Sequence, residues 1–243
     1  MLSTGQLSVL RNLTTIATSA GQVPVSGAYV EIKGLINAGA GTVELRVNGA
    51  VVMNLGSLNT LGGVSAAWDG VRIFTTGPNA AIDTTMDDLV VWDTSGSNNN
   101  DFLGDVAVLL SQPQAGNGAN TGLTPSTGSD HGALVDEATQ NADTDYNSGS
   151  TAGVKDTYAM TDVSVTGSVK AVVVDLIARK DVTGLKQVCP VYRIGGADYD
   201  GSTLNCGTQY AGLRQVFESS PATSAAWTVS EVNGAELGMK VVA

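Results

Sequence analysis

Hydrophobic and polar positions alternate with a period of two over much of the first half of the chain. From Tyr29 to Ile36, Val30, Ile32 and Ile36 alternate with Glu31 and Lys33. Successive side chains of a strand point to opposite faces, so this spacing predicts a strand with one buried face. Val43, Leu45 and Val47 alternate in the same way with Glu44 and Arg46, then come Asn48-Gly49 and the apolar run Ala50-Val51-Val52-Met53. Asn-Gly between two such runs predicts a two-residue type I′ hairpin turn, whose central residues both need positive φ. Further strands are expected at Gly70–Thr75, Asp88–Trp92 and Asp105–Leu110.

The pattern stops at residues 111–130, a polar stretch rich in Gly, Pro, Ser and Thr, which reads as a linker or long surface loop. It resumes at Val169–Ala178, a continuous apolar run whose valines and isoleucine predict a central strand, with Asp175 as a buried or edge-facing carboxylate inside it. Leu185–Ile194 and Ser202–Tyr210 flank Gly195–Gly201, which reads as a hairpin loop. Trp227–Asn233 predicts one helical turn before a last strand, Leu237–Val242. No segment carries four turns of amphipathic helix. Many short strands with frequent turn signals predict an all-β chain of two antiparallel β-sandwich, jelly-roll-like domains, residues 1–110 and 131–243, joined by 111–130.

Composition agrees with this pattern. Charged residues are only 14% of the 243, and 30 glycines accompany many Ser, Thr and Asn. That mixture suits strands and tight turns better than solvated helices. Twelve Lys and Arg against 23 Asp and Glu give a net charge of −11, with no basic stripe to neutralise phosphates, so a nucleic-acid partner is not expected. No apolar run approaches the roughly 18 residues that span a bilayer. The opening residues lack the charged and apolar regions of a signal peptide, so neither membrane insertion nor secretion is expected.

Few residues offer chemistry. The single histidine, His131, has Ser129, Asp130 and Asp136 beside it in sequence. A catalytic triad draws its members from separate elements and no G-x-S-x-G elbow is present, so His131 reads better as a hydrogen bonder anchoring a loop. Carboxylates cluster at Asp83, Asp87, Asp88, Asp93, Asp101 and Asp105, and again at Asp143 and Asp145. Asp87, Asp88, Asp101 and Asp105 are the candidate calcium ligands. Their spacing fits no EF-hand loop, and the competing reading is turn chemistry, in which Asp holds nearby backbone N–H groups. An acid pair for glycoside hydrolysis is a weaker alternative. Twelve aromatics, among them Trp68, Trp92, Trp227, Tyr146, Tyr158, Tyr192, Tyr199 and Tyr210, either stack on a sugar or fill the core. Cys189 and Cys206 lie on the two arms of the predicted hairpin, placed either for a cross-strand disulfide or as two buried thiols. No cofactor-binding glycine motif occurs in a strand-to-helix context, and no enzyme activity is expected.

The stretch Met86-Asp87-Asp88-Leu89-Val90-Val91-Trp92-Asp93-Thr94-Ser95-Gly96, followed by Asn99-Asn100-Asp101-Phe102-Leu103-Gly104-Asp105-Val106, resembles a family of tailed-bacteriophage virion proteins. Shorter matches include Thr124-Pro125-Ser126, Asp130-His131, Val135-Asp136-Glu137, Asp143-Thr144-Asp145-Tyr146, Ala178-Arg179-Lys180 and Pro221-Ala222-Thr223 with Ala226-Trp227-Thr228. The resemblance extends over nearly the whole chain. It implies a laminin-G or concanavalin A-like jelly roll followed by a second β-sandwich, in a virion structural protein assembled in the host cytoplasm. The protein would be a tail-associated fibre or appendage, or a head decoration protein. Its partners would be other virion proteins, copies of itself and, in a lectin-like alternative, a host-surface glycan. The family supplies no catalytic residues. A jelly roll of this kind needs more strands than residues 1–110 supply, so the first sandwich is expected to be incomplete and to complete itself with strands from outside this sequence.

Overall fold

A computed structural model describes residues 6–11, 14–21, 27–62 and 85–243. The chain is nearly all β, built from several antiparallel sheets. It divides into two compact units, Met1–Val108 and Leu109–Ala243. Among the described residues no helix is long and apolar enough to cross a membrane.

In the first unit, β1 (Ser8–Arg11) and β2 (Thr14–Thr18) form an antiparallel pair with a bulge between Val9 and Leu10. Ser19 closes its open end: the hydroxyl accepts the Leu7 N–H at 3.0 Å and donates to the Gly21 carbonyl. The alternation around residues 29–58 yields a three-stranded meander of β3 (Val30–Leu35), β4 (Gly41–Val47) and β5 (Ala50–Leu58). Asn48 and Gly49 take φ of 49° and 78° between β4 and β5, the positive pair a type I′ turn requires. Leu45, Val47 and Met53 are buried against Leu7, Val9 and Ala17 of the β1–β2 region. Val30 and Ile32 pair with Val47 and Leu45 and share their face, yet both are exposed on β3, which among the described residues pairs with β4 alone.

The opposite face carries Glu31, Lys33, Glu44 and Arg46, and residues 101–104 engage it. Phe102 lies under the Arg46 guanidinium at 3.9 Å, Lys33 bonds Asp101 at 3.0 Å, and Glu31 accepts the Gly104 N–H at 2.8 Å. Asp88–Trp92 and Asp105–Leu110 do not form the expected strands. Asp88 sits at φ 54°, outside strand geometry, and its carboxylate takes the Val108 N–H at 2.6 Å, a donor that a ladder would have used. The expected strand at Gly70–Thr75, with Trp68 and Asp83, lies outside the described residues.

The second unit is a two-layer sandwich. Its strands are β6 (Thr124–Pro125), β7 (Asn147–Ser148), β8 (Lys155–Ala159), β9 (Val172–Ala178), β10 (Gln187–Ile194), β11 (Ala197–Asp200), β12 (Leu204–Asn205), β13 (Ala211–Phe217) and β14 (Glu236–Val241). One layer is the sheet β11-β10-β14-β8, with β12 also beside β10; the other is the pair β9–β13. Inward residues of both layers meet in two clusters. Val174, Tyr192 and Trp227 gather Leu176, Phe217 and Leu237, while Ala178, Val188 and Cys206 gather Leu204, Leu213 and Met239. The helical turn is α1 (Val229–Gly234), started by a capping box in which Thr228 and Glu231 bond each other's backbone N–H.

Three expectations change here. Val169–Ala178 was expected to give a central strand, but β9 has only β13 as a ladder partner among the described residues; its apolar odd positions face outward. The hairpin turn is Gly195-Gly196 alone, with φ of 60° and 85°, so residues 197–200 are strand rather than loop. Residues 111–122, expected as part of a linker or surface loop, run as an irregular edge beside β8. The Thr161 N–H donates to Gln112, Gln114 donates to Ala159, the Thr157 N–H donates to Asn120, and Gly122 donates to Lys155. From 114 to 120 the segment advances six residues while β8 advances two, from 159 to 157, so four extra residues are extruded as a broad bulge.

Candidate functional site

The bulge and the loop after it converge on one acid of β8. Cross-strand pairing puts Asp156 and Tyr158 on the same face as Met239 and Leu237, which is the inward face of the sheet. Asp156 is 0% exposed. A carboxylate there needs donors on both oxygens, and it has three: the Leu123 N–H at 2.8 Å on Oδ1, and on Oδ2 the His131 imidazole Nδ1 at 2.6 Å and the Tyr158 hydroxyl at 3.2 Å. His131 is itself 7% exposed. Asn147 ties the rim, its amide donating to the Tyr158 oxygen at 3.1 Å and to the His131 carbonyl at 2.8 Å. Burial pushes the Tyr158 phenol well above its ordinary range, reinforced by the Asp156 charge.

His131 is therefore an anchor, and its partner comes from another strand rather than from its sequence neighbours. Asp130 accepts the N–H groups of Gly116 at 2.7 Å and Ala133 at 3.0 Å, which hold its carboxyl below the usual range. Ser129 offers its carbonyl to the Asn117 amide, and the Asn117 oxygen takes the His131 N–H. These bonds fix the bulge against the loop that carries His131. The arrangement has the acid and imidazole of a hydrolytic triad; the Nδ1 side of the imidazole faces Asp156, and Ser129, the adjacent serine, engages through its backbone.

The outward face of β8, β14 and β10 carries a second network. Asp198 on β11 receives Lys155 at 2.5 Å, Arg193 at 2.7 Å and the Asn120 amide at 3.3 Å. Partial burial alone raises its carboxyl, but these donors outweigh it and hold Asp198 at about 2. Beside it Glu236 accepts from the Thr157 hydroxyl at 2.5 Å and the Ala119 N–H at 2.9 Å. Both networks grip the same bulge from the two faces of the sheet.

The candidate calcium ligands do not come together. Asp87 caps the Asp88 N–H, Asp88 holds Val108, Asp101 takes Phe102 N–H and Lys33, and Asp105 is exposed. Asp93 closes a turn on Ser95. In the second cluster Asp143 pairs with Arg179 at 2.8 Å and accepts from the Tyr210 hydroxyl at 2.8 Å, while Asp145 bonds Asn141. Among the described residues no three His, Cys, Asp or Glu side chains group as a metal site. Tyr158, Tyr192 and Trp227 are buried, and Trp227 stands 5.4 Å from the Tyr192 ring with its N–H on the Phe217 carbonyl.

Cys189 and Cys206 are both buried and unbridged. A cross-strand disulfide needs the two cysteines opposite each other, which requires a turn centred between 197 and 198. The turn at 195–196, with a one-residue shift between β11 and β12, instead sets Val188 opposite Leu204 and places Cys206 beside Lys186. The two thiols are thus about three positions out of register and on opposite faces, because Cys206 packs with Val188 while Cys189 is the next residue along the strand. Burial raises both thiols.

Comparison of the chain with protein-family models, curated proteins and solved structures gives no match.

Proposed function

We propose that the chain is a structural component of a tailed-bacteriophage particle, as a tail-associated fibre or appendage or a head decoration protein, with no catalytic role and with other virion proteins and its own copies as partners. The resemblance of the DDLVVWD and NNDFLGDV stretches is the starting point. The observation that carries the reading is how the polar side chains are engaged. Asp88, Asp93, Asp101, Asp130, His131, Asp156 and Glu236 all bind backbone N–H groups or partner side chains that fix loops. A subunit that recurs in a particle needs surface segments held in one shape, because ordering them on contact would cost association free energy. With only 14% charged residues, it also has few charges to desolvate at contacts.

The test is location. An antibody raised against the purified chain should decorate intact particles at regular positions in electron micrographs, and the chain should appear among proteins of gradient-purified particles. Its absence from purified particles, with the chain present in the lysate, would overturn the proposal.

A further inference from the structure

The outward face of the β9–β13 pair has a property that its inward face lacks. Register sets three outward rows across the ladder: Val173 with Val216, Asp175 with Arg214, and Ile177 with Gly212. Val173, Ile177 and Val216 are 50%, 53% and 54% exposed. Asp175 and Arg214 form a bidentate pair at 2.8 and 2.7 Å in the middle row. Nothing lies within 4 Å of where a Cβ on Gly212 would stand, so an open notch sits next to Ile177.

We propose that this face binds the same face of a second copy, across a two-fold axis running parallel to the strands between β9 and β13. Such an axis places each residue over its own cross-strand partner in the other copy. Asp175 then meets Arg214, Val173 meets Val216, and Ile177 enters the notch over Gly212, each contact occurring twice as an isologous interface demands. Arg214 uses Nε and one terminal nitrogen within its own chain, leaving the other terminal nitrogen to donate across the axis. The other in-plane two-fold, perpendicular to the strands, would set Asp175 on Asp175 and Arg214 on Arg214. Charge therefore selects the axis. Face-to-face sheets rotate by about 30°, and a pivot at the central row keeps the ion pairs aligned.

The face is small. Seven residues at about 3.3 Å and two strands at about 4.8 Å give roughly 23 by 10 Å, below the roughly 800 Å² per partner of a standard complex. The dimer is accordingly weak in dilute solution and effective where copies are held close together. The inference rests on the assembled role proposed above for that setting.

Sedimentation of the full chain up to about 1 mM tests it, using wild type, Asp175→Arg, Arg214→Asp, and the two variants mixed in equal amounts. Wild type is expected to dimerise with concentration. Each variant alone places like charges face to face and should weaken the dimer about tenfold or more, and the mixture should restore it as a heterodimer. Restoration on mixing also shows that both variants fold. If they do not, a mixture of Ile177→Cys and Gly212→Cys chains should cross-link between copies under oxidation, beyond either chain alone. Monomeric wild type at the highest concentration, or a mixture that neither restores the dimer nor cross-links, would overturn the inference. Wild-type self-association that survives both charge reversals would place the contact elsewhere and overturn it equally. A chain that is monomeric but present in particles would sink this interface and leave the structural role; a chain that dimerises but is absent from particles would do the reverse.

Discussion

Replacing Asp156 with alanine should destabilise the second unit by about 3–5 kcal/mol. The change leaves three donors without an acceptor: the Leu123 N–H, the His131 imidazole and the Tyr158 hydroxyl. All three belong to residues at most 7% exposed, so water cannot readily replace the carboxylate. An unsatisfied buried polar group costs about 1–3 kcal/mol, and loss of one partner of a buried charged network sits at the upper end. His131→Ala removes one donor of three and should cost less, about 1.5–3 kcal/mol. In the double variant the losses should not add, with a coupling of at least about 1 kcal/mol, because the two groups touch. Hydrogen exchange on the full chain separates this local effect from the first unit. In Asp156→Ala the Leu123 amide should exchange faster, together with residues 114–122 along β8. A loss below about 1 kcal/mol with Leu123 still protected would refute the idea that Asp156 fastens the bulge.

Three further outcomes follow from the geometry. The Asp198 carboxyl, held at about 2 by Lys155, Arg193 and Asn120, is depressed relative to its unfolded value near 3.9; its contribution is present above about pH 4 and is lost as pH falls towards 2, so unfolding measured between pH 5 and 2 should lose that acid sensitivity in Asp198→Asn. Gly238→Ala should destabilise by about 3 kcal/mol or more, since its Cβ would stand 1.8 Å from the Asp156 carbonyl oxygen and only the β8 and β14 backbones moving apart relieves it; thermal unfolding reads this, and a loss under about 1 kcal/mol refutes it. Native protein should resist thiol alkylation, two groups reacting once denaturant is added, because Cys189 and Cys206 are buried with raised thiols; an intact mass lacking two hydrogens under oxidation would show the cysteines can reach each other after all.

Where a strand's own residues decide its geometry, the sequence was readable. The alternation around residues 30–47 and the Asn48-Gly49 turn are local signals, and β3, β4 and β5 follow them closely. The Asp88–Trp92 run carries the same signal and fails, because Asp88 takes a positive φ and a side chain 20 residues away supplies the acceptor for Val108. Residues 111–130 fail in the other direction. They lack periodicity because the extruded bulge breaks the alternation, while backbone groups of Gln112, Gln114, Asn120 and Gly122 are met along β8 and the residue pair after it, and Ser126 is met by Tyr146. A composition-based reading sees Gly, Asn and Thr and cannot see which strand receives them.

The centre of the candidate site was missed for a related reason. Lys155-Asp156-Thr157-Tyr158-Ala159 alternates charged and polar residues on both faces, so no apolar face marks it as a strand with an inside. Yet Asp156 points inward, with Tyr158 two residues on sharing that face. His131 was identified as an anchor, but its partner lies 25 residues later and on another element, a pairing that only the fold supplies. The clue that was available is stoichiometric. One histidine and an acid-rich chain leave that imidazole surrounded by candidate carboxylates, and the nearest in sequence, Asp130, is already taken by the Ala133 N–H of its own turn and the Gly116 N–H of the bulge. An acid that caps its own loop cannot also enter the core, so the partner had to come from a strand packed against that loop. β8 offers an acid with a tyrosine two residues on sharing its face, and in the fold the two are buried and bonded in one polar network.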